Sequence, residues 1–443
     1  MSGLEVWLDD REAGWLRRHE DSRPSRALSM RYLESWIAEA PAYPLAPSLP
    51  LPERGGGQAP LDGEAVRWYF DNLLPEGDAR RRAFAALGVP MDDTFRALAH
   101  MGRDAAGAVR LLPGDSHGRP TGSMPRRVPR EELSERIRHR TAQPFAVWDG
   151  QMRHALAGSQ DKIGVYVDRG EWYLVDGPQI ASTHLIKPAP EADALRDLPY
   201  NEYFCMRLAA RVGLDVAKVQ LHHVPEPVLL VERFDRQRLD DGRVRRRHVI
   251  DACQALGVPG ALKRERTGED VAGRAPSRDG VSMPRIFGLL TQSAAPLIDR
   301  RALLRWTIFQ LLIGNSDAHA KNLSFFVDHG GLRVAPAYDL ICGSRPGFGK
   351  TPGLAMAIGD AFVPNEVTPL AWASFAERCG IAPRSLIQEL RRLCEELPTA
   401  AERLAAELAD EVPGSVGDGI LSVIRSESAR QASTALDIGR IGR

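Results

Sequence analysis

Residues 314–322, GNSDAHAKN, follow directly behind the apolar run WTIFQLLIG and place Asp317, His319, Lys321 and Asn322 within six residues of one another. Asp317 can accept a proton, and Asn322 offers the kind of oxygen that binds hard divalent cations. His319 and Lys321 are donors suited to phosphate oxygens. Asp339, in APAYDLI, supplies a second carboxylate 17 residues beyond Asn322. The intervening LSFFV, HGG and LRVAPA read as a β-hairpin, which returns Asp339 to the end of the ribbon where Asn322 lies. Transfer of a phosphoryl group to a hydroxyl needs a base at the nucleophile, oxygen ligands for Mg²⁺ and cations that spread the phosphate charge. This pattern assigns Asp317 to the first role, Asn322 and Asp339 to the second, and His319 and Lys321 to the third. A lone D-x-x-x-x-N is more simply a helix cap followed by a solvated loop; the ordered trio with its hairpin favours the catalytic reading.

Protein kinases use the same order of aspartate, asparagine and, after a hairpin, a second aspartate. Nucleotide-binding features are therefore expected upstream. In ALAGSQDKIGVYV, Gly158 and its small neighbours precede a strand, as a phosphate-covering loop would. Lys187 in HLIKP is placed on a strand to reach phosphates, with Glu202 of NEYF as its acidic partner. At LLVERFDR a strand ends in Glu232, Arg233, Phe234 and Asp235, where the chain changes from strands to helices. Such a junction can present backbone groups and the Phe234 ring to an adenine.

These residues need two kinds of scaffold. A strand-like LEVWL and a helix bearing Tyr69, Leu73 and Leu74, stopped by Pro75 and Gly77, belong to a first domain, residues 1–115. The Gly-, Pro- and Arg-rich stretch 116–130 is a linker. Residues 131–235 read as a β-rich lobe, with IGVYV and EWYLV as a hairpin around DRG and a helix from LPYNEYFCMRLAARVGL closed by Gly213. Residues 236–443 form a helical lobe that includes RALLRWTIFQLLIG and PRSLIQELRRLCEEL. The fold class is α+β, with a small N-terminal domain ahead of a two-lobed, kinase-like body. Residues 263–281 and 343–353 read as loops.

Composition narrows the function. Lysine plus arginine and aspartate plus glutamate both number 58, so no global field draws the 443-residue chain to nucleic acid or membrane. The run GRVRRRH, 242–248, reads as a solvated loop, and His222 and His223 have no partners at metal-ligand spacing. Five scattered cysteines without a C-x-x-C pair fit a reducing cytoplasm. The acidic start MSGLEVWLDDREAGWL does not resemble a secretion signal, and the apolar stretches fall well short of the roughly 20 residues of a membrane span.

Taken together, FDNLLPEG, GRDAAGAVRLLP, AGSQDK, THLIKP, NEYF, VERFDR, CQALG, GNSDAHAKN and PAYDL resemble, in order, the HipA family of bacterial serine/threonine kinases, toxins of toxin–antitoxin pairs. The resemblance implies ATP and Mg²⁺ as cofactors. It also implies a HipB-like helix-turn-helix antitoxin that carries the toxin to operator DNA, and a protein substrate such as glutamyl-tRNA synthetase or another aminoacyl-tRNA synthetase. It makes Asp317 the base and Asn322 and Asp339 the metal ligands. Ala157, Gly158, Ser159, Gln160 and Lys162 fall in the phosphate loop, Lys187 on the ATP phosphates, and Glu232 with Phe234 at the adenine hinge. Asp235, His319 and Lys321 fall near the nucleotide. In one respect the chain departs from the family: where members often carry an autophosphorylated serine, this chain has Ala155; Ser159 is an alternative acceptor, though a serine lining a phosphate loop is more simply a hydrogen-bond donor. The competing reading is a catalytically silent, kinase-like subunit that acts with a DNA-binding antitoxin to repress an operon.

Overall fold

Leu4, Val6 and Leu8 are buried on one strand, Leu4–Leu8, which pairs antiparallel with Arg11–Arg18 on one side and Val109–Pro113 on the other. Leu28–Tyr32 and Leu61–Asp62 extend this sheet to five strands. Gly14 is required within it: a Cβ there would lie 2.3 Å from the carbonyl oxygen of Arg31. The computed structural model describes residues 3–19, 27–38, 42–53, 59–114, 124–153, 156–177, 179–267, 277–348 and 353–438. Ala155, residues 116–123 of the expected linker, and 268–276 and 349–352 of the expected loops lie outside them.

The chain forms two compact units. The first comprises residues 1–188, 222–260 and 325–332; the second comprises 189–221, 261–324 and 333–443.

In the first unit the helices Glu64–Asp71, Gly77–Leu87 and Thr94–Met101 accompany the five-stranded sheet. Tyr69 is on the first of these, but the helix ends at Asp71 and Leu73 and Leu74 lie in the turn that follows. Pro75 disfavours helical geometry in the residue before it, so the helix cannot run on. All three side chains are nevertheless buried. A six-stranded sheet has the order Val219–His223, Pro227–Glu232, His184–Pro188, Ile163–Asp168, Glu171–Leu174 and Arg126–Arg127. Part of the expected linker thus supplies an edge strand. Arg169 and Gly170, with φ of 48° and 82°, make the tight hairpin expected at DRG. Ile163, Val165, Trp172, Leu174, Ile186, Val228 and Leu230 pack into one apolar cluster on a single face of this sheet.

The second unit is mostly helical. Pro296–Leu312 is its central helix: from Leu303 to Leu312 every side chain except Arg305 is buried, a pattern that only a helix covered all round can have. Pro383–Glu407 instead buries one face through Leu386, Leu390, Leu393, Leu397 and Leu404, and packs against Gly414–Ile438. Leu198–Arg211 ends just before Gly213, which adopts φ 81°. No described helix is long and apolar enough to cross a membrane.

Candidate active site

In the second unit, the turn after Pro296–Leu312 is built by its own polar residues. Asn315 accepts the Asp317 N–H at 2.9 Å through its side-chain oxygen, while its amide donates to Gln310 at 2.8 Å. This Asx-type bond bends the chain out of the helix. The Asp317 carbonyl accepts the His319 N–H at 2.8 Å and the Asn322 side-chain amide at 2.9 Å. Asp317 and Asn322 are therefore locked into one loop, with Ala320–Asn322 as a 3₁₀ turn. His319 and Lys321 are both buried in it, and the His319 Nε2 lies 4.0 Å from the Asp317 carboxylate.

The expected hairpin is present as Ser324–Asp328 and Gly331–Val334. Beyond it Tyr338 donates to the Lys321 carbonyl at 2.7 Å and contacts the Ser324 hydroxyl at 2.8 Å. Asp339, the next residue, is thereby held beside the loop that carries Asn322. Its φ of 58° is unusual for a non-glycine residue, the kind of backbone strain that structures retain at sites of function.

The first unit brings together the residues expected to meet nucleotide. Gly158 has φ 109°, and a Cβ there would lie 2.5 Å from the Lys162 amine, so the loop closes over its own lysine only because residue 158 is glycine. Lys162 donates to the Ala157 carbonyl at 2.6 Å. Gln160 donates to the Pro188 carbonyl at 3.0 Å, which ties the loop to the strand of Lys187. Lys187 is buried and pairs with Leu229; its neighbour Ile186 faces the apolar cluster, so alternation turns Lys187 to the opposite face of the sheet. Glu232 lies opposite His184 at the end of its strand, and the Phe234 ring meets Phe326 edge-on at 5.9 Å.

The loop also has a seat that the sequence did not reveal. Pro75 bridges to Gly158, the Glu76 N–H donates to the Gly158 carbonyl at 3.1 Å, and Arg82 donates to Asp161 at 2.9 Å. FDNLLPEG thus supports the loop 157–162 from a position some 80 residues earlier in the chain.

Asp235 is engaged differently from the expectation. Its carboxylate accepts Arg233 at 2.9 and 3.0 Å, Arg236 at 2.9 Å and the Gly107 N–H at 2.7 Å, all in the interior. Asp104 completes the network with Arg236 at 2.8 Å and Ser182 at 2.6 Å. Burial by itself would raise both carboxyls, but the charges of Arg233 and Arg236 outweigh it and hold them below the usual carboxylate range. The Asp235 carboxylate is thus wholly engaged within a buried ion network. The expectation of a solvated loop at 242–248 also needs correcting, because Val244–Arg246 is a strand whose alternation turns Val244 and Arg246 inward, with His248 buried beyond it. Burial and repulsion from Arg236 push the Arg246 guanidinium down to about 9.

The chemistry of the donor set suits the expected ligands. The Asn322 amide nitrogen is spent on Asp317, so Oδ1 is the atom it offers a cation; with the Asp339 carboxylate this gives the all-oxygen set that Mg²⁺ prefers. The tight glycine and lysine of 157–162 are the elements of a phosphate cradle. Glu202 is buried on Leu198–Arg211 in the second unit. Among the residues that sequence reasoning missed, Asn315 had a local signal in its N-S-D spacing. Tyr338 and Arg82 had none, since their contacts join distant stretches.

The model of the HipA-like C-terminal domain matches residues 154–401, and that of the HipA N-terminal domain matches 4–112. The chain is 34% identical over 403 residues to the serine/threonine-protein kinase toxin HipA of Shewanella oneidensis, covering 90% of this chain and 88% of that one. It is 35% identical over 417 residues to Y4mE of Sinorhizobium fredii, covering 92% and 93%. Among solved structures it matches the Shewanella oneidensis complex of HipA, HipB and operator DNA, with a TM-score of 0.84, 32% identity and coverage of 98% and 99%.

Proposed function

Because this chain belongs to the HipA family and has its kinase-like fold, we propose that it is a serine/threonine protein kinase toxin that moves the γ-phosphate of ATP to a protein hydroxyl. The observation that carries this reading is the loop in which the Asn322 amide holds the Asp317 carbonyl at 2.9 Å, fixing a base and a metal ligand in one turn. Asp317 takes the proton of the acceptor hydroxyl as the acceptor oxygen bonds to the γ-phosphorus; the bond from that phosphorus to the β–γ bridging oxygen breaks, and ADP leaves with the electron pair. Mg²⁺, held by Asn322 and Asp339, would neutralise charge on the phosphates. Ala157–Lys162 cover the phosphates, with Lys187, His319 and Lys321 as donors, and Lys187 takes Glu202 as its acidic partner. Glu232 and Phe234 face the adenine.

The protein substrate is an aminoacyl-tRNA synthetase, with glutamyl-tRNA synthetase the first candidate. Phosphorylation would halt translation and favour persistence. A HipB-like antitoxin restrains the toxin and places it on operator DNA. Support comes from the ordered family motifs and from the Shewanella complex, which contains both partners.

The test is transfer of labelled γ-phosphate from Mg-ATP to bacterial lysate proteins by the parent and by Asp317→Gln, with labelled bands identified by mass spectrometry. A band labelled by the parent alone is the expected result. Equal labelling by both, or none by a parent that binds ATP, would move the weight to a catalytically silent subunit acting with the antitoxin.

A further inference from the structure

Arg264 belongs to none of the motifs, yet its guanidinium reaches the proposed base. Its Nη2 donates to the Asp317 carboxylate and its Nη1 to the Ser316 carbonyl at 3.2 Å, so one side chain bridges the carboxylate and the main chain of the same turn. We propose that Arg264 is the positioning residue for Asp317: it holds Oδ1 and thereby presents Oδ2 to the acceptor hydroxyl. The proposal rests on the reading of Asp317 as the base.

The segment that carries Arg264 is fixed on both sides. Before it, the Lys263 carbonyl accepts the Ala320 N–H at 3.0 Å, a direct tie to the catalytic loop. After it, the Glu265 side chain is 3% exposed; it accepts the Ala357 N–H at 2.8 Å and the Arg278 guanidinium at 2.5 and 3.0 Å. The Glu265 N–H donates to the Ala355 carbonyl at 2.8 Å. Gly280 passes so close that a Cβ on it would lie 1.7 Å from the Arg264 carbonyl oxygen. One residue further, the Arg266 guanidinium stacks 3.8 Å over Phe362. Arg264 is therefore projected toward Asp317 from a backbone that has little freedom to move it elsewhere.

Exposure decides what the pair is for. The Arg264 and Asp317 side chains are 43% and 27% exposed, unlike the buried Arg233–Asp235 pair. Ion pairs this open contribute little to folding, so stability alone does not account for the bridge. Orientation does: the carboxylate torsion of aspartate is broad and roughly two-fold, and a base that rotates misses its proton for part of the time. A guanidinium that spans the Asp317 carboxylate and the Ser316 carbonyl fixes Oδ1 relative to the main chain in a way a single-point ammonium cannot.

Kinetics of Arg264→Gln, Arg264→Lys and Arg264→Ala in the full chain, with Mg-ATP and the protein that the lysate labelling identifies, provide the test. Loss of a hydrogen bond to a charged group predicts that Arg264→Gln lowers kcat about 10- to 100-fold. The ATP Kd should stay within about twofold, because the bridge acts on the base and not on bound nucleotide. Arg264→Lys should recover part of kcat, and ethylguanidinium should partly restore Arg264→Ala, a rescue that a purely structural role would not give. A kcat for Arg264→Gln within about twofold of the parent, or an equal loss of ATP affinity, overturns the proposal. Asp317→Gln separates the two readings. If it is inactive while Arg264→Gln is normal, only this inference fails; if it is fully active, the base assignment fails and takes this inference with it.

Discussion

Replacing Asp235 by asparagine separates a scaffold residue from a nucleotide ligand. Arg233 and Arg236 face Asp235 and Asp104, two cations against two anions, in a network where both arginine side chains are 3% or less exposed. Asparagine keeps one acceptor oxygen but turns an NH₂ group toward guanidinium donors. Three of the four hydrogen bonds that Asp235 accepts end on Oδ2 and one on Oδ1, so at least one is lost whichever way the amide turns, and one buried positive charge is left without its counterion. A hydrogen bond to a charged group contributes roughly 1.5–3 kcal/mol and breaking a buried ion pair from one side costs roughly 3–5 kcal/mol, so the uncompensated charge dominates and the expected destabilisation is about 3–5 kcal/mol. Urea unfolding followed by tryptophan fluorescence suits the measurement, since Trp7, Trp15, Trp36, Trp68, Trp148 and Trp172 all belong to the first unit. The midpoint should fall with little change in slope, while ATP affinity of the folded variant in the absence of urea should be close to that of the parent. A variant with unchanged stability and lost ATP binding would refute the reasoning and restore Asp235 to the nucleotide site.

His248 sets an acid limit on stability. Burial pushes its imidazole down to about 4, while its Nε2 lies 2.8 Å from the Leu45 carbonyl as the donor of a neutral ring. A folded value below the unfolded value of about 6.5 means that the stabilisation is full above pH 6.5 and is lost as pH falls toward 4, about 3 kcal/mol in all. Urea midpoints measured across that window should fall for the parent and fall less steeply for His248→Gln; identical slopes would contradict the assignment. Gly158→Ala should raise the KM for ATP several-fold while costing about 1–2 kcal/mol of stability, because an alanine at φ 109° is strained wherever the Lys162 amine moves. Steady-state kinetics at varied ATP, with KM unchanged as the contrary result, checks it.

The parts of the site that were legible in the sequence are those built by local spacing. Asp317, Asn322 and the following hairpin are organised by bonds spanning a few residues, so their order carried the geometry. The tight turn at Arg169 and Gly170 was legible for the same reason. The seat of the loop 157–162 was not, because Pro75 and Gly158 are joined only by tertiary packing. The ion network of Asp235 was not legible either, because Gly107 and Asp104, which join it, are about 130 residues away and nothing in VERFDR signals them. In GRVRRRH, residue type concealed the period: an alternating strand was present, but with arginine and histidine on its inner face it resembled solvated charge. The helix carrying Tyr69 was placed correctly and extended too far, since Leu73 and Leu74 continue the apolar pattern after the hydrogen-bond ladder has stopped.

The two units are interleaved along the chain, each assembled from three separate stretches. This has a consequence for synthesis on the ribosome, where the chain emerges in order. When residues 1–188 have appeared, His184–Pro188 still has an open side, because its partner Pro227–Glu232 comes about 40 residues later, after a helix that belongs to the other unit. An unpaired strand of this kind is a template for wrong partners. The helix Gly414–Ile438 of the second unit is made about 90 residues after the loop at 314–322, so that loop exists as sequence long before its helical surroundings are complete. Neither unit can be released by a single cut, and each is complete only once stretches far apart in the chain have been made.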